Sequence, residues 1–136
     1  MNTSLRCLNI GFNLLGDGRG RGNDENAVLK FAMALGLNKT LTFLSLAGNW
    51  MYNFHGHQGA QALTEALRKN TTLTELDLQS TYMDNEVLTL IEPLRANTTL
   101  VRLDLRYMNT STDELEIQRV FLSNPQLVGR VLRSVR

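Results

Sequence analysis

Residues 70–78 read NTTLTELDL, and the same form stands at 2–10 (NTSLRCLNI), 38–46 (NKTLTFLSL) and 97–105 (NTTLVRLDL), with a partial copy, Asn124-Pro-Gln-Leu127, after them. Self-similarity at a regular spacing marks a repeat architecture. The leucines that end the tetrapeptides, Leu5, Leu41, Leu73, Leu100 and Leu127, lie 36, 32, 27 and 27 residues apart, so the unit is about 27 residues and its first two copies are enlarged. Inside each motif, L-x-x-L-x-L, the later leucines alternate with other residues, the pattern of a short strand with one buried face.

A helical segment follows each strand. Residues 59–70 place Ala60, Leu63, Ala66 and Leu67 on one stripe, and 86–97 place Val87, Leu90, Ile91 and Leu94 likewise. Val28, Phe31, Ala32 and Leu35 do the same in 27–38, as do Leu115, Ile117, Val120 and Phe121 in 113–124. An asparagine closes every one of these segments, which predicts a left-handed C-cap. Pro93 removes a backbone donor inside the third helix and predicts a kink or a loosened turn there. Asn13 and Asn49 stand three residues beyond the last apolar strand position. Buried there, they would bond backbone groups of neighbouring turns. Thr81 and Met108 replace them later, so that ladder should weaken toward the C-terminus.

The motif L-x-x-L-x-L-x-x-N, the repeat length and the long helix in each unit resemble the ribonuclease-inhibitor type of leucine-rich repeat, over nearly the whole chain. The resemblance implies an α/β solenoid with a curved parallel sheet on the concave side, helices on the convex side, and about four repeats plus a C-terminal cap strand. We read 1–136 as a single repeat domain, with repeats near 5–40, 41–72, 73–99 and 100–126 and a cap at 127–136. In that cap, LVGRVLRSV puts Arg130 where a core leucine belongs. Residue 5 reads as part of the first strand, so nothing earlier covers the apolar end of the stack. The preferred account is a fragment of a longer solenoid; the second is self-association through the uncapped N-terminal edge.

The enlargements fall in the strand-to-helix connections. The first carries GDGRGRG at 16–22, which has the order strand, glycine loop, helix expected of an anion site, with Arg19 and Arg21 adding charge. But no Gly-Lys-Ser/Thr follows, and the alternate-glycine spacing is not G-x-G-x-x-G. An insertion capped by Asn23 or Asp24 is the preferred reading over a nucleotide loop. The second, around WMYNFHGHQ at 50–58, holds both histidines, His55 and His57, too few ligands for a zinc site. Trp50, Tyr52 and Phe54 read as packing over the helix edge, with an exposed partner anchor as the alternative. The sequons at Asn2, Asn38, Asn70, Asn97 and Asn109 read as turn chemistry.

Composition narrows function. Fourteen basic and thirteen acidic side chains give a net charge of +1, so no global field recruits nucleic acid or an anionic membrane. Four of the arginines, Arg119, Arg130, Arg133 and Arg136, crowd the last eighteen residues and read as a solvated face. The single cysteine, Cys7, excludes an intrachain disulfide. With no signal-like segment after Met1 and no apolar run near 18 residues, a soluble, cytoplasmic protein is expected. No catalytic residue, cofactor or metal is assigned: Cys7 has no histidine beside it, and no serine couples to a histidine and carboxylate.

The exposed sheet face remains. Its columns read Cys7, Phe43, Glu75, Arg102; Asn9, Ser45, Asp77, Asp104; Gly11, Ala47, Gln79, Arg106; and, at the edge, Phe12, Gly48, Ser80, Tyr107. The first two repeats are small or apolar there and the last two carry mixed charge. Such charge beside aromatics reads equally as a recognition surface or as charges neutralising one another across strands. The expected function is non-catalytic binding of another protein through Phe43, Glu75, Asp77, Gln79, Arg102, Asp104, Arg106, Tyr107 and the enlarged loops. Tropomodulin-type actin-capping proteins are similar in having a short repeat series closed by a basic segment, as at 128–136. Leucine-rich GTPase-activating proteins also use this repeat type, with an arginine and an asparagine near strand ends, for which Arg6 and Asn13 are available.

Overall fold

A computed structural model describes residues 2–13, 15, 27–49, 58–81, 83–107 and 122–130 of the chain. Among them are five strands, β1 (Cys7–Asn9), β2 (Phe43–Ser45), β3 (Glu75–Asp77), β4 (Arg102–Asp104) and β5 (Val128–Arg130). They form one sheet in chain order, and every neighbouring pair is parallel. The helices α1 (Ala27–Leu37), α2 (Gln58–Lys69) and α3 (Ile91–Ala96) alternate with the strands, and a 3-10 helix over Asp84–Leu90 leads into α3. This is the α/β leucine-rich repeat solenoid, a parallel sheet on one side and helices on the other. Three-residue strands make β1 begin at Cys7 rather than at Leu5.

Leucine columns build the core. Leu44, Leu76 and Leu103 occupy one register row, Leu46, Leu78 and Leu105 the next, and all six are buried. The helices answer with Val28, Ala32 and Leu35, then Ala60, Leu63, Ala66 and Leu67, then Val87, Leu90 and Leu94, the stripes read from the sequence except that Phe31 and Ile91 are only half-buried. Each fully buried leucine stabilises by roughly 2 kcal/mol over an exposed one. The first copy is the exception: Leu5 is 40% exposed where Leu73 is 2% exposed. At Gly36, where α1 meets α2, an added Cβ would stand 3.5 Å from the Ala66 Cα, an ordinary contact distance.

Pro93 acts through placement. It is the third residue of α3, where a missing N–H leaves no bond unmade, and the segment before it is wound as a 3-10 helix, a tighter winding than an α-helix and not the loosened turn expected from the sequence.

The repeat-joint asparagines are not left-handed caps. Asn97 has φ −73° and ψ 124°, and the positive-φ residues other than glycine are Phe12, Ser80 and Tyr107. Asn70, Asn97 and Asn124 instead tie two repeats with their amides, while Asn38 bonds Thr40 and Leu41 beside it. Asn70 Oδ1 accepts the N–H of Thr72 (2.9 Å) and Leu73 (2.8 Å), while its Nδ2 donates to the carbonyls of Leu35 (2.8 Å) and Asn38 (3.2 Å) one repeat back. Asn97 repeats this with Thr99, Leu100 and the Leu67 carbonyl, and Asn124 with Gln126 and the carbonyls of Leu94 and Asn97. These are carbonyls in and just after the last turn of a helix, where no intrahelical donor remains.

The post-strand ladder is shorter than the sequence implies. Asn49 is fully buried; its Nδ2 donates to the Ile10 and Leu46 carbonyls at 2.9 Å, and its Oδ1 accepts the N–H of Asn13 and Leu15. Asn13 is exposed, against the expectation of burial, and among the described residues its Nδ2 bonds the local Gly11 carbonyl. Thr81 bonds the Leu78 carbonyl of its own repeat at 2.7 Å. Met108 lies outside the described residues.

In the cap strand the register differs by one residue from the sequence reading. Gly129 pairs with Leu103 and Arg130 with Asp104, so glycine takes the leucine row and Arg130 falls in the outward column. The expected loops at 16–24 and 50–57, residues 113–121 of the expected fourth helix, Asn109, and Arg119, Arg133 and Arg136 lie outside the described residues.

Candidate functional site

The outward columns stand in the predicted register, Cys7–Phe43–Glu75–Arg102 and Asn9–Ser45–Asp77–Asp104. Over β2 to β4 they frame a groove of about 560 Å³, lined by Phe43, Glu75, Asp77, Arg102 and Asp104 on a floor of Leu76 and Leu103. Gln79, Arg106 and Tyr107 are absent from its lining and follow the strands in the turns, with Gln79 and Arg106 half-buried and Tyr107 exposed.

Sequence left open whether these charges face a partner or one another, and the structure shows extensive internal pairing. Arg102 Nη1 lies 3.1 Å from Glu75 Oε1 across the β3–β4 step. Arg106 reaches back to Asp104 as a fork, Nε at 2.8 and 2.9 Å and Nη2 at 2.6 Å. Those hydrogen bonds hold the Arg106 pKa above its ordinary value, with the Asp104, Tyr107 and Asp77 charges adding to the shift against desolvation. Asp77 Oδ2 accepts the Ser45 hydroxyl at 2.8 Å. Ser45 is itself buried, as is Ala47, so the second repeat offers less open surface than its outward register positions imply.

The middle column carries a role that the sequence reading missed. Oδ1 of Asn9, Asp77 and Asp104 accepts the backbone N–H two residues on, of Gly11, Gln79 and Arg106, at 2.9 to 3.1 Å, and the Ser45 hydroxyl does so for Ala47 at 3.4 Å. Asn, Ser, Asp and Asp are residue types that bond their own backbone in this way, which was the available signal. The bond turns the chain out of the strand. The next column, Phe12, Gly48, Ser80 and Tyr107, then takes φ of 57, 63, 55 and 57°. Inter-repeat bonds from the N–H of Phe12, Gly48 and Ser80 to the carbonyls of Ala47, Gln79 and Arg106, at 2.7 to 2.9 Å, hold this left-handed corner. Tyr107 takes the same corner conformation at the end of β4, beside the Arg106 carbonyl that accepts the Ser80 N–H.

Arg6 and Asn13 are both engaged locally, Arg6 Nη1 with the Thr40 carbonyl at 3.2 Å and Asn13 with Gly11. Cys7 is a free, exposed thiol. Among the described residues no three His, Cys, Asp or Glu side chains gather as metal ligands, and no helix is long and apolar enough to cross a membrane. On the helical side, a hollow of about 290 Å³ lies between α1 and α2, bordered by Leu29, Met33, Leu37, Ala62, Glu65 and Lys69. Met33 and Leu37 are exposed, because α1 is apolar on both faces.

Comparison with known proteins agrees with this architecture. A family model described as "Leucine Rich repeat" matches residues 2–18 and 69–86, the first and third copies of the motif. Among solved structures, "Leiomodin-1 Actin-Binding Site 2 (ABS2)" is similar at a TM-score of 0.75 and 18% identity, over 98% of this chain and 74% of that one. At that identity the likeness speaks for the fold alone. No curated protein matches by sequence.

Proposed function

We propose that this leucine-rich repeat solenoid is a non-catalytic module that binds another protein on its exposed sheet face. The observation that carries the proposal is the groove over β2 to β4, where an aromatic ring and arginine–carboxylate pairs stand on a backbone whose turns are already bonded. Fixed side chains lose little freedom on binding, so more of the contact energy appears as affinity. Phe43 and Tyr107 supply apolar area, while Glu75, Asp77, Arg102, Asp104, Arg106 and Gln79 set orientation. The repeat subtype we take to be that of ribonuclease inhibitor, supported by the 27-residue spacing of the last three leucines, and we take residues 1–136 as one repeat domain.

The test is recovery of partners from a lysate by the wild-type chain and by a variant carrying Asp77→Ala, Arg106→Ala and Tyr107→Ala, with folding of both verified by circular dichroism. A partner kept by the first and lost by the second supports the sheet face; equal recovery refutes it.

Actin is the second reading, favoured by the likeness to the leiomodin-1 site. Co-sedimentation with actin filaments and a binding titration with actin monomers decide it. Absence from the pellet together with no monomer binding removes actin and leaves the general reading intact.

A further inference from the structure

The charges of the sheet face do not cancel residue for residue. Over the repeats of β3 and β4, Glu75, Asp77 and Asp104 oppose Arg102 and Arg106, a balance of −1 there. Arg102 is spent on Glu75 and Arg106 on Asp104. Among the described residues this leaves Asp77 in the middle of the groove with no cation at ion-pair distance. Its two bonds are neutral ones, to the Gln79 N–H at 3.1 Å and the Ser45 hydroxyl at 2.8 Å. A carboxylate has about four accepting positions, so half of its capacity is unused. Phe43 precedes by two residues the serine that bonds Asp77, and it lines the same groove.

These neighbours discriminate between occupants. An acidic segment meets a like charge whose nearby guanidiniums among the described residues, Arg102 and Arg106, are already held by Glu75 and Asp104. A purely apolar segment strips water from Asp77 and returns no counter-charge, which costs more than it gains. A basic side chain returns both charge and hydrogen bonds, and its methylene stem has an aromatic surface to lie on. Arg130 belongs to β5, two strands from Asp77, at the register position beside Asp104.

We propose that the partner is a protein that seats one arginine or lysine of an exposed segment against Asp77, with its stem along Phe43. The proposal rests on the sheet face being the binding surface, and it adds the chemistry of what binds there. Asp77 then acts as the specificity determinant, because a partner lacking the cation leaves a buried carboxylate unpaired.

The test uses the full chain and a random dodecapeptide library displayed on phage. The library is panned on wild type, on Asp77→Asn, and on Phe43→Ala/Tyr107→Ala. Asparagine preserves the turn bond, as Asn9 shows in the first repeat. Expected is a set of wild-type binders that share a basic residue at one position. The best of them should bind Asp77→Asn about 10-fold or more weakly, the scale of a charge-assisted hydrogen bond. Binders that need Phe43 and Tyr107 yet share no basic residue, or that hold Asp77→Asn equally, overturn the cation proposal and leave the sheet face standing. Binders indifferent to Phe43 and Tyr107, or no binders at all, overturn both.

Discussion

Replacing Asn70 by alanine tests the joint that holds the repeats together. The side chain is 2% exposed and makes four backbone bonds of 2.8 to 3.2 Å, two within its own repeat and two to the repeat before. Their loss is unequal. The Leu35 carbonyl keeps the Asn38 N–H at 3.1 Å, and the half-buried Thr72 N–H and Asn38 carbonyl can take up water. The Leu73 N–H, on a buried residue, has no replacement, and leaving such a group unpaired costs about 1–3 kcal/mol. With partial costs for the two half-buried groups, the expected loss is about 3 kcal/mol. For a urea slope near 2 kcal/mol per molar, the unfolding midpoint falls by about 1.5 M. Asn2 is the internal control: it accepts from Ser4 and Leu5 in the same way, but in the open, so its replacement should cost below about 1 kcal/mol. Asn70→Asp keeps both acceptor bonds, loses both donors and turns a negative charge toward two carbonyls. Its folded carboxyl pKa is thereby raised above the unfolded value, so the added penalty is full at neutral pH and shrinks as pH falls into the carboxyl range. Urea denaturation followed by circular dichroism reads all of these. An Asn70→Ala loss no larger than that of Asn2→Ala would falsify the ladder as a source of stability.

Other expectations follow from single features of the fold. Gly48→Ala places a Cβ 2.3 Å from the Phe12 ring at φ +63°, so it should cost about 1–2 kcal/mol, and less in a Phe12→Ala background; equal cost in both would show that the ring is not the obstacle. Leu73→Ala should cost about 2–5 kcal/mol and Leu5→Ala about 1, because one is 2% and the other 40% exposed; comparable losses on denaturation would contradict the burial gradient. Glu75→Gln breaks a pair whose side chains are 37% and 69% exposed, and a thermal or chemical denaturation change above about 1 kcal/mol would be inconsistent with a screened surface bridge.

The fold was legible because its information is one-dimensional. Five Asn-x-x-Leu tetrapeptides fix the repeat, the alternating leucines fix which strand face is inside, and the stripes from Val28 to Leu94 fix the helical faces. Register between β1 and β4 follows from aligning the copies, and the structure keeps it without a slip. It slips only at β5, where Arg130 looks like a misplaced core residue in the string but Gly129 is the residue paired with Leu103. Pairing is decided by neighbours that a repeat count does not contain.

The remaining content of the site depends on distances between repeats. Sequence shows an asparagine after each helix; only the stacking of one unit on the next decides that the amides of Asn70, Asn97 and Asn124 serve the preceding repeat's carbonyls. Sequence lists five charges on the outward columns; only the fold decides that two arginines are taken and Asp77 is left. Backbone strain at Phe12, Ser80 and Tyr107 has no signature in residue type, since a glycine occupies that corner in one repeat of four. Sequence periodicity thus determined what each unit is, through burial patterns local to a strand or a helix. The tertiary structure decided what the units do to one another, because hydrogen bonds and ion pairs between repeats join residues 25 to 39 positions apart, and their geometry exists only once the stack has formed.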